Sequence, residues 1–68
     1  MGGGVNIIYS EINSILDRAI TTTNNLDANE YLLEATNLVY NDKKMSIDEK
    51  LLLLKKIDNI ALARHLPT

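Results

Sequence analysis

Asp58 and His65 come nearest, by type and spacing, to residues that could do chemistry in this 68-residue sequence. A carboxylate beside an imidazole can pass a proton to and from a substrate. On one helix, seven residues put both groups on the same side but separate them by about 10.5 Å along the axis. That is beyond the reach of a hydrogen bond. Asp58 therefore reads as a residue at the edge of an interface, meeting Arg64, Arg18 or a partner's lysine, or as a cap on a loop amide. His65, the sole histidine, reads as a terminal residue and cannot hold a metal alone.

Other candidates fall on similar grounds. Ser10 and Ser14 lack the sharp glycine-bounded turn that exposes a nucleophile. The glycines, Gly2 to Gly4, do not follow a strand, so they do not form a phosphate-cradling loop. Asp42, Asp48 and Glu49 do not follow a calcium-loop spacing. The sequence thus points to no catalytic residue, no cofactor and no metal.

Composition narrows the class further. The net charge of -2 gives no general attraction to nucleic acid or to an anionic membrane. No secretory signal is visible. No apolar run approaches the roughly 18 to 20 residues that cross a bilayer, so a cytoplasmic location is the expectation. Cysteine is absent, which removes disulfides from the means by which so short a chain is stabilised. A second chain or a very apolar core must serve instead. The many Asn, Ile and Lys residues suggest an AT-rich genome and a bacterial or mobile-element origin. Residues 1–5 read as a disordered leader or cloning remnant, or as a translated ribosome-binding region with Val5 as the true start.

The elements that position these residues are helices. Over residues 6–22, Val5, Ile8, Ile12, Ile15, Leu16, Ala19 and Ile20, with Tyr9, fall within an arc of roughly 140°. The threonines at 21–23 and Asn24-Asn25 close this helix. Asp27 with Glu30 has the spacing of a capping box, and Leu26 with Tyr31 that of a hydrophobic staple, predicting a second helix over 28–41. Ser46 with Glu49 predicts another box and a third helix over 47–65. Short connections make successive helices antiparallel. The fold class is all-α: a small up-down-up three-helix bundle, or helical hairpins, completed by dimerisation.

The run Leu51 to Leu54 sets the functional question, because four consecutive leucines point to four sides of a helix. Leu53, Leu54, Ile57, Ile60 and Ala61 form one side. Ile47, Leu51 and Leu62 widen it to roughly 200°, where a helix packed on one side needs little more than 100°. Leu52 lies outside even that arc. On the second helix, Leu33 and Tyr40 share a side distinct from the core face of Ala28, Tyr31, Leu32, Ala35, Leu38 and Val39. Leu33, Tyr40, Leu52 and Asp58 are accordingly the expected partner-binding residues.

The expected function is that of a small non-enzymatic protein-protein interaction module, such as an adaptor, antirepressor, inhibitor or immunity-type protein. It would act through an apolar helix face, as a homodimer and on a larger protein. One alternative is a small DNA-binding regulator, although Asp48 and Glu49 would then meet phosphates at the start of the recognition helix. Another is a purely structural self-assembling module.

Overall fold

The computed structural model describes residues 7–66, with Ile7 described in its backbone only. The expected leader, Val5 and Asn6 lie outside the described residues. Three helices follow one another: α1 (Ile7–Thr21), α2 (Asn25–Asn41) and α3 (Ile47–Ala63). Among the described residues there is no strand.

Each helix end has a local cause. At the end of α1, Thr21 Oγ1 bonds back to the Asp17 carbonyl at 3.0 Å, and Asn24 N donates to Thr22 Oγ1 at 3.2 Å. These contacts give the backbone an alternative to continuing the helix. The cap of α2 is Asn24, whose Oδ1 accepts from Leu26 N and Asp27 N at 2.8 and 3.3 Å. This corrects the expected Asp27–Glu30 box. Capping by Asn24 starts the helix at Asn25, so Asp27 sits within its first turn, where a carboxylate suits the positive end of the dipole. Leu26 is then a helical residue, and it is exposed, not stapled.

The expected box at α3 is present. Ser46 Oγ accepts from Glu49 N at 3.2 Å, and Ser46 N donates to Glu49 Oε1 at 3.3 Å. This helix ends two residues earlier than expected, in a left-handed turn at His65 with φ 58°. Leu66 N bonds to the Ala61 carbonyl at 2.9 Å and His65 N to the Leu62 carbonyl at 3.1 Å. That pair of bonds is a Schellman closure. Leu66 folds back and is buried in the same apolar cluster as Ala61, consistent with the apolar closure that accompanies the motif.

The core joins Ile12, Leu16 and Ala19 of α1, Ala28, Leu32, Ala35 and Val39 of α2, and Leu53, Ile57 and Ala61 of α3, closed by Met45 and Leu66. Alanines at 19, 28 and 35 allow α1 and α2 to approach closely, and theirs is the most extensive helix pairing. The α2–α3 pairing is smaller and α1–α3 is slight. Lys56 Nζ donates to Asn13 Oδ1 at 3.3 Å, and Arg64 Nη1 to the Ile20 carbonyl at 3.3 Å, spanning 43 and 44 residues. These nearly equal spans mean that α1 and α3 run parallel, as an up-down-up bundle requires.

Candidate interaction surface

Between α2 and α3 lies an open groove of about 340 Å³. Its α2 wall is the row Asn29, Leu33, Thr36 and Tyr40, spaced four, three and four residues apart. Such a spacing keeps a row on one side of a helix. Its α3 wall is Leu54, Asp58 and Ala61, and Leu32 and Ile57 of the core also line it. Leu33, Tyr40 and Asp58 are thus brought together, as three of the four residues expected at a partner surface.

Leu52 is not among the groove residues. It is 63% exposed, while its neighbour Leu53 is completely buried. One step of about 100° around the helix accounts for the contrast. Leu33 and Tyr40 are also more than half exposed, and so are Leu26, Ile47, Leu51 and Leu62. Leu26, Leu33 and Tyr40 repeat every seven residues, which places all three along the same side of α2. Apart from Ile20 of α1, which is 55% exposed beside α3, these exposed apolar side chains all belong to α2 and α3.

Asp58 is exposed, and no side-chain hydrogen bond or ion pair to it is present among the described residues. Arg64 does not meet it. The guanidinium instead reaches the Ile20 carbonyl and, at 2.8 Å, Asn25 Oδ1. His65 lies beyond the last helical residue, in the left-handed turn. His65 therefore does not share the side of α3 that carries Asp58, as a helix continued to residue 65 would require.

A second, smaller groove of about 210 Å³ separates α1 from α3, and Lys56 and Asn13 bridge it. Among the described residues there is no group of three His, Cys, Asp or Glu side chains able to hold a metal ion. No helix among them is long and apolar enough to cross a membrane. Met45 and Leu66 are buried contributors that no sequence pattern marks. Both sit outside the helices, where helical periodicity carries no signal. Compared with known proteins, the chain matches no family model, no curated protein and no solved structure at a significant level.

Proposed function

We propose that this chain is a non-enzymatic protein-protein interaction module, and that the exposed apolar side of α2 and α3 is its working surface. One observation carries the reading: Leu33, Tyr40, Leu51, Leu52 and Leu62 are all more than half exposed on helices whose core faces are already filled. Single exposed apolar residues need no explanation, but a gathering of them marks a site of association. Tyr40 is the natural anchor, since tyrosine offers a large apolar body with a polar tip and is enriched at binding hot spots. Asp58 adds a charge within the groove that a partner's cation can meet.

Photo-crosslinking tests this reading. A benzophenone-bearing residue is placed at Tyr40 in cells of the native source, with the same residue at Glu11 on the exposed side of α1 as the control. A defined polypeptide adduct from position 40, absent from position 11, is the expected result. No adduct from position 40, or the same adducts from both, would overturn it.

A further inference from the structure

Leu51, Lys55, Asp58 and Leu62 form a row on the outer face of α3, spaced four, three and four residues apart, and all four are exposed. At about 100° per residue they fall within about 60° of one another. The spacing reads the same in both directions along the helix, with a leucine at each end, while the two central charges exchange on reversal, so a reversed copy is complementary to the original. Resting on the interaction-module reading above, we infer that a second copy of this chain packs its α3 antiparallel along this row, about a twofold axis passing between Lys55 and Asp58.

In that register Leu51 of each copy meets Leu62 of the other, and Lys55 of each meets Asp58 of the other. A twofold interface needs this self-complementarity, and antiparallel helices pair positions in just such a crossed order. A parallel, in-register pair would set Lys55 on Lys55 and Asp58 on Asp58. The charges therefore select the direction and register, while the leucines, each 59% exposed in the single chain, supply the apolar burial. Neither charged side chain is committed elsewhere, since no side-chain bond to Lys55 or Asp58 is present among the described residues. The row lies between the groove that holds Leu33 and Tyr40 and the side that carries Leu52. All the residues expected at a partner surface therefore belong to it or flank it.

Charge reversal tests the inference on the full chain. Solution mass is followed by light scattering across a dilution series for wild type, K55E, D58K and an equimolar mixture of the two variants. Circular dichroism confirms that each is helical. Wild type is expected at twice the 7.6 kDa chain mass, each variant alone to associate at least tenfold more weakly, and the mixture to recover wild-type association. A second measurement does not depend on those charges. The chain has no cysteine, so L51C mixed with L62C should oxidise to a crosslinked pair faster than either variant alone. Variants that self-associate as wild type does, a mixture that fails to recover, or L51C crosslinking to itself would overturn the antiparallel register. A wild type that stays monomeric throughout would overturn the second copy. In that case a position-40 adduct to a different polypeptide would leave the interaction-module reading standing, and the absence of any adduct would end both.

Discussion

Arg64 Nη2 donates to Asn25 Oδ1 at 2.8 Å, so the end of α3 is tied to the first residue of α2. The same guanidinium reaches the Ile20 carbonyl at 3.3 Å, near the negative end of α1. One planar side chain thus joins all three helices at one end of the bundle. Arg64→Ala should cost about 1 kcal/mol, the usual net worth of such partly solvated bonds. In a domain of this size that lowers the melting temperature by about 4 to 8 °C. Arg64→Lys should recover little, since a single ammonium cannot present the spread donors of a guanidinium fork. Thermal unfolding followed by circular dichroism measures both.

His65 occupies the position of the α3 closure where a left-handed backbone is required, at φ 58°. A side chain with a Cβ is strained there, and glycine is not. His65→Gly should therefore raise stability by about 0.5 to 1 kcal/mol, measured as a higher urea midpoint at unchanged slope. His65→Val should lower it, because a branched Cβ tolerates this conformation least. A glycine variant no more stable than wild type would show that the imidazole itself supports the turn.

Leu52 and Leu53 are chemically identical neighbours with opposite duties. Leu53 is completely buried and Leu52 is 63% exposed. Leu53→Ala should cost about 2 to 5 kcal/mol, a large part of the roughly 5 kcal/mol that a small domain has to spare. Leu52→Gln should change the stability of the single chain by about 0.5 kcal/mol or less. Unfolding midpoints of the two variants, read at low protein concentration, make the comparison. A large loss from Leu52→Gln would place that side chain in the core.

The same kind of contrast decides the cap of α2. Asn24→Ala removes the acceptor for Leu26 N and Asp27 N and should cost about 1 kcal/mol. Asp27→Asn keeps the helix start and loses only a dipole interaction, about 0.3 to 1 kcal/mol. Ser46→Ala, at the reciprocal box of α3, should cost as much as Asn24→Ala. Urea midpoints for the three variants rank them.

These caps also mark how much of the fold was legible from sequence. Helical periodicity placed the core stripes of all three helices except at Ile20, which lies at the end of α1 and is 55% exposed, because a 3.6-residue repeat follows directly from which side is buried. Ser46 and Glu49 announced α3 because their bonds are local. By residue type Asn24 caps as well as Asp27, but beside the threonines it reads as the close of α1. Long-range packing enters here: a start at Asn25 supplies the side chain that Arg64 reaches. Met45 and Leu66 lie outside the helices, where no repeat marks them, and the turn at His65 is a local closure that lacks the glycine by which such a turn is usually read. Of the expected surface residues, Leu33, Tyr40 and Asp58 converge because two helices set their rows side by side. The separation of Leu52 from that groove was written in its 100° step from Leu51 and Leu53, whereas the groove itself needed the placement of α2 against α3.

Coupling between folding and association supplies the last prediction. A chain of this length buries only about 60% of its unfolded surface and gains little margin from a single core. A second copy that covers Leu51 and Leu62 binds the folded state and not the unfolded one, so it stabilises by mass action. At about 0.7 kcal/mol of unfolding enthalpy per residue, two chains unfolding together absorb roughly 95 kcal/mol. The melting temperature of wild type should then rise by about 5 °C for each tenfold increase in protein concentration. Leu62→Gln, at an exposed position, should flatten that dependence while leaving the low-concentration melting temperature nearly unchanged. Scanning calorimetry over a hundredfold concentration range reads both slopes. A wild-type transition fixed in temperature would mean that the folded chain completes its own stability, leaving the outer face of α3 to a different polypeptide.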